Sequence, residues 1–120
     1  TFVDVAGASY PKQFHGEPIQ PMEGVSLLPT LRGEELQRTA PLGFEHHGNS
    51  ALREGKWKIV CDYRADQPTK WELHDMDADR TELKDLAAEQ PQKLQELVDK
   101  WRKWADRVGV QTWPVIRRAK

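Results

Sequence analysis

Ionisable and amide side chains crowd one short stretch of this chain, Glu45-His46-His47-Gly48-Asn49-Ser50. An imidazole can give or take a proton near neutral pH, and an amide offers a donor and an acceptor without titrating. The glycine lets the backbone bend sharply between them. Such a loop suits contact with a polar or anionic ligand, and His46, His47 and Asn49 are its candidate ligand-facing residues. The plainer alternative is a turn whose side chains satisfy nearby backbone groups.

Other clusters are weaker. Two adjacent histidines on one strand point to opposite faces, so His46 and His47 are not expected to chelate one ion together. His46 with His74 or Asp75 across a sheet is geometrically open, but no spacing matches a closed zinc site. Asp75, Asp77 and Asp79 start like a calcium loop. Arg80 then stands where glycine is required, and Leu86 where the closing glutamate belongs. No metal ligand is therefore expected in this segment. Ser9, Ser26 and Ser50 lack a nucleophile-elbow context. Cys61 follows Ile59 and Val60, which marks an inert core thiol rather than a nucleophile.

The elements that must hold these residues follow from periodicity. Thr1 to Ala6 reads as the end of a helix stopped at Gly7, residues 8–24 as an ordered Pro/Gly loop, and Ser26 to Gly33 as a short helix capped by Ser26. Pro41 to His46 is a strand with Leu42, Phe44 and His46 on one face. Ala51 to Arg53 and Lys56 to Tyr63 flank the two-residue turn Glu54-Gly55. In the second arm Trp57, Ile59, Cys61 and Tyr63 share a face. Residues 64–69 turn, and Trp71 to Asp75 is a further strand. Thr81 to Leu86 is assigned one helical turn.

Pro91 opens the surest element, a helix whose Leu94, Leu97, Val98, Trp101, Ala105 and Val108 recur at helical spacing before Gly109. Trp113 to Lys120 is expected to be a loosely held tail. The fold class is α+β: a small antiparallel sheet of about four strands packed on a long C-terminal helix, with an irregular N-terminal loop region.

With 120 residues, the chain is one domain's worth. A formal net charge of −1 argues against a nucleic-acid binder, and the basic residues around Trp101 fall on a solvated helix face. No apolar run approaches the roughly 20 residues of a membrane span, and a single cysteine excludes an internal disulfide. Thr1 to Ala6 looks cut within an element, so the chain reads as a piece of something longer.

Three segments in order resemble the C-terminal part of bacterial arylsulfatases, of the alkaline-phosphatase-like superfamily. They are Thr1 to Gly7 with Gly24 to Gly33, Phe44 to Lys58, and Trp71 to Leu86. The middle one is similar to the family's Glu-His-Glu-Gly-Asn-Arg-Ala-Val-Arg-Asp-Gly-Lys-Trp-Lys pattern, with His47 and Ser50 replacing an acidic and a basic residue. The resemblance implies residues 1–40 as a connector from the end of a catalytic domain and residues 41–120 as the C-terminal subdomain.

It also implies a parent that hydrolyses sulfate esters with a formylglycine and calcium. Neither site is expected in this segment: Cys61-Asp62-Tyr63-Arg64 lacks the Cys-x-Pro-x-Arg pattern, and none of the family's calcium ligands carries over to it. The implied partner is the catalytic domain of the same polypeptide, and the implied substrate a sulfate ester held near His46, His47 and Asn49. The segment alone is expected to be inactive and, through Phe2, Val3, Val5, Leu27, Leu28 and Leu31, weakly self-associating. Similar bacterial enzymes are often exported, which fits a periplasmic or secreted parent. Two competing readings are a non-catalytic protein-interaction module and a phosphoester hydrolase of the same superfamily.

Overall fold

The computed structural model describes residues 1–64 and 69–111. The chain divides into two units, Thr1–Thr39 and Ala40–Lys120.

The first unit is built from turns. Helix α1 (Phe2–Val5) ends before Gly7, whose φ of +62° only glycine adopts readily. The loop that follows holds a two-stranded ribbon, absent from the sequence reading. β1 (Gln13–Phe14) pairs with β2 (Glu17–Pro18) across His15-Gly16, both at positive φ. That is the backbone of a two-residue hairpin turn matched to strand twist. In α2 (Leu28–Leu31) the cap position falls on Leu27, not Ser26. The Ser26 hydroxyl still accepts from the Leu28 N–H at 3.2 Å. Gly33 and Glu34 donate back to Thr30 and Pro29, which satisfies the last carbonyls of the helix. No residue of this unit is buried, and Phe2 and Leu31 remain 91% and 73% exposed.

The second unit is a four-stranded antiparallel meander in the order β3 (Leu42–His46), β4 (Asn49–Glu54), β5 (Trp57–Cys61), β6 (Trp71–Asp75), backed by α3 (Pro91–Val108). The expected α+β class is what forms. The β4–β5 turn is Gly55-Lys56, one residue later than expected, because Glu54 pairs with Trp57. The register sets Gly43, Leu52, Ile59 and Leu73 side by side on the face towards α3. Leu52, Ile59, Leu73, Leu97 and Val98 form the core, flanked by Trp57, Trp71, Leu86, Ala87, Leu94 and Trp101. Lys100 pins the helix to the sheet, its ammonium 2.6 Å from Glu54. Gly109, at φ +74°, ends α3.

Trp104, which the helical pattern did not single out, lies against Gly43. A Cβ there would come within 2.2 Å of its indole ring. Gly43→Ala should therefore force the ring to move and lower stability by about 1–3 kcal/mol, the usual range for overpacking. A urea titration of the variant checks this, and Trp104→Leu in the same background should recover part of the loss.

Thr81 to Leu86 is not a helical turn. Side-chain carboxylates capture its backbone instead. Asp79 accepts from the N–H groups of Thr81 and Lys84, and Asp85 from those of Leu73 and Ala87. Glu82 is left at φ +58°, outside helical geometry. With Leu86 N–H donating to Leu73 O at 2.8 Å, the segment becomes a strap along the free edge of β6. Covering an edge in this way removes unpaired strand groups from solvent.

The backbone donor from Lys84 holds the Asp79 carboxyl below its usual 3.8. Partial burial opposes ionisation at Asp85, but the N–H groups of Ala87 and Leu73 outweigh it, and its pKa also falls. Carboxylates depressed in the folded state stabilise fully above the unfolded value and lose that contribution as pH falls through the folded one. The strap should thus loosen below about pH 4. Hydrogen exchange of the Leu73 and Lys84 amides, followed down the pH scale, should show protection falling there, and less steeply in Asp79→Asn.

Candidate functional site

His46, His47 and Asn49 meet at the turn between β3 and β4. His46 and Asn49 are the closing pair, and His47-Gly48 are the two turn residues at φ +52° and +89°. His47 therefore does not continue the strand. The expectation of opposed imidazoles fails for that reason: the two rings lie 4.3 Å apart, tilted by 35°. Histidine is among the residues that tolerate a left-handed backbone, which is why a His-Gly pair builds this turn as it does His15-Gly16.

Three local bonds stiffen the loop. Gly48 N–H donates to Glu45 Oε1 at 2.8 Å. The Asn49 amide donates to His46 O at 3.1 Å, and its carbonyl oxygen accepts from Tyr63 N–H at 2.9 Å. Both ends of the amide thus hold backbone, whereas His46 and His47 are exposed. His46 and Asn49, with Phe44, Ala51 and Val60, also line an open groove of about 550 Å³.

His74 cannot join His46 at an ion. β3 and β6 are opposite edges of the sheet with two strands between them, a separation of about 14 Å at normal strand spacing. His74 is instead 1% exposed beneath the strap, with Nδ1 3.0 Å from Lys84 O. Its burial escaped the sequence reading, which saw only an alternating polar position.

Among the described residues no three His, Cys, Asp or Glu side chains are grouped to hold a metal. Asp75 accepts from Lys56 and from the N–H groups of Asp77 and Ala78, and the hydrogen bond from Lys56 draws its pKa down. The aspartates that resemble a calcium loop therefore hold a turn. The Cys61 thiol is buried, and desolvation followed by the Asp62 charge raises its pKa, the opposite of an activated nucleophile.

No protein-family model matches the chain. The choline-sulfatase of Rhizobium meliloti (strain 1021) is 39% identical over 94 residues, covering 72% of this chain and 16% of that protein. An uncharacterized sulfatase of Schizosaccharomyces pombe is 36% identical over 72 residues, covering 60% and 13%. The chain is a sulfatase C-terminal subdomain.

Solved structures share its fold. The Ps i-CgsB chain in complex with k-i-k-neocarrahexaose superposes with a TM-score of 0.63 at 22% identity, over 88% of this chain and 22% of that one. BT4656 in complex with its substrate D-glucosamine-2-N,6-O-disulfate gives 0.60 at 21%, over 98% and 24%. The subdomain spans only 13–16% of the length of the curated relatives it matches. No helix among the described residues is long and apolar enough to cross a membrane.

Proposed function

We propose that this subdomain belongs to a sulfate-ester hydrolase of arylsulfatase type, in which it supports the fold and one wall of the substrate cleft. The identity to two sulfatases carries this reading, and those names favour sulfate over phosphate esters. The formylglycine and calcium that such an enzyme uses would reside in its larger part. The described residues do not fit either group: they offer no metal-holding cluster and only a buried, proton-retaining thiol. In this reading the part played by the chain's own residues is positioning.

His46 and His47 lie on a turn stiffened from both sides, which suits them to donate hydrogen bonds to anionic sulfate oxygens at the cleft. A hydrogen bond to a charged group is worth roughly 1.5–3 kcal/mol, or about tenfold and upwards in kcat/KM. His46→Ala and His47→Ala in the full-length enzyme should show such a fall for at least one aryl or sugar sulfate. Unchanged kcat/KM across a panel of both would overturn the assignment. Asn49→Ala should act differently, lowering stability because two backbone groups lose their partner.

Residues 1–39 would link the catalytic domain to the sheet. Their exposed Phe2, Val5, Leu27 and Leu31 have the character of a surface meant for burial. The isolated 120-residue chain should self-associate weakly through them. Light scattering that finds only monomer at high concentration would contradict this.

A further inference from the structure

Two turns in this chain share one backbone, and only the second carries an imidazole pair. At His15-Gly16 the φ angles are +50° and +85°, and at His47-Gly48 they are +52° and +89°. Gln13 stands two residues before the histidine in the first turn, where Glu45 stands in the second. The His-Gly sequence is therefore enough to shape the turn, and the carboxylate is not needed for that. What Glu45 adds is restraint. The second residue of such a turn has no place for its N–H in the strand ladder, and here the Gly48 N–H donates to Glu45 Oε1 at 2.8 Å.

The carboxylate is available because the cations beside it are engaged elsewhere. Arg64 and Arg102 line the same groove as Glu45, but Arg64 pairs with Asp62 at 3.8 Å and Arg102 with Asp99 at 3.2 Å. The base of Glu45 is fixed as well. Its main chain pairs with Ser50 on β4, and Phe44 O, just before it, is held by Trp101 Nε1 at 3.1 Å. Glu45 thus reaches from an anchored strand to the residue that follows His47. Holding the Gly48 N–H holds the peptide between the two. With it is held the left-handed backbone that sets the His47 ring 4.3 Å from that of His46.

We infer that Glu45 is a positioning residue: its carboxylate preorganises the His46–His47 imidazole pair and so sets how tightly an anionic ester is held, without touching the ester. The inference rests on the proposed function for the place of that pair at the cleft. A turn released from Glu45 would keep both rings in the binding arrangement for only part of the time. Apparent affinity then falls with the competent fraction, whereas the rate of the bound complex does not. Glu45→Ala should therefore raise KM by about 3- to 10-fold, the effect of having to order one more side chain on binding, with kcat held. Glu45→Gln keeps an acceptor oxygen at the same reach and should recover most of the loss.

Steady-state kinetics and amide exchange test this together. KM and kcat for an aryl sulfate are measured on the full-length protein and its Glu45→Ala, Glu45→Gln, His46→Ala and His47→Ala variants. Exchange of the Gly48 amide is followed by NMR in the 120-residue chain, whose second unit has its own core, with circular dichroism to confirm folding. In Glu45→Ala that amide should exchange about fivefold faster or more, while the Leu52 and Ile59 amides in the core strands keep their protection. In Glu45→Gln it should stay near the parent rate. Unchanged Gly48 exchange in the alanine variant would overturn the inference. So would a fall in kcat at unchanged KM, which a smaller folded fraction alone produces. An unchanged KM in Glu45→Ala beside a reduced kcat/KM in His46→Ala or His47→Ala would overturn it and leave the functional reading standing. If the histidine variants are also without effect, the functional reading falls and the inference with it.

Discussion

Leu97→Ala should be the most damaging conservative change in this chain, lowering stability by about 2–5 kcal/mol. Leu97 has no exposed surface and meets Leu52, Ile59 and Leu73, one residue from each of three successive strands. Alanine would remove the contact that holds helix to sheet at its centre and leave a cavity that strands tied by cross-strand bonds cannot easily collapse. For a unit of this size each kcal/mol shifts the midpoint by about 4–8 °C. Thermal unfolding of the variant should therefore show a drop well beyond ten degrees or no cooperative transition. A fall of only a degree or two would mean that α3 is not the principal cover of the sheet.

Trp101→Ala should rank second, at about 3 kcal/mol, the low end for a tryptophan because the ring is only partly buried. Trp101 does two separable things. Its ring packs 5.2 Å from that of Trp71 on β6, and its Nε1 donates to Phe44 O on β3 at 3.1 Å. The residue thereby ties both edge strands to the helix. Trp101→Phe keeps most of the apolar area and loses the donor, so it should cost about 1 kcal/mol. Urea titrations of the two variants measure the division. A Phe variant as unstable as the alanine one would show that the hydrogen bond, and not the ring, carries the effect.

Some of this was legible in the sequence because the signals are local. Pro91, the 3- and 4-spaced apolar residues and Gly109 specify α3 from its two ends inward. Alternation in Trp57, Ile59 and Cys61 identifies the face that meets it. Other features depend on partners distant in sequence. His74 looks like a solvent-facing residue until the strap from Asp79 to Leu86 is laid over it, and that strap looks helical until Asp79 and Asp85 are seen to take its N–H groups. Trp104, three residues after Trp101, lies at the edge of the apolar stripe, and the absence of a side chain at Gly43 gives its ring a place to lie. At the candidate site the composition of the turn was readable, but its backbone was not. His47 at positive φ brings two imidazoles together where strand geometry would part them. The expected tail, Trp113 to Lys120, lies outside the described residues.

In the proposed division the subdomain supplies a packed sheet and helix and a stiff turn, and the larger part supplies the reactive groups; among the described residues here no three His, Cys, Asp or Glu side chains are grouped to hold a metal. Sulfate release from a chromogenic aryl sulfate, with calcium present, tests that division most directly when run on the full-length protein and on the 120-residue chain side by side. Turnover by the full-length protein and none by the short chain is the expected result. Sulfate released by the short chain alone, or none released by the full-length protein from any sulfate ester tried, would contradict it.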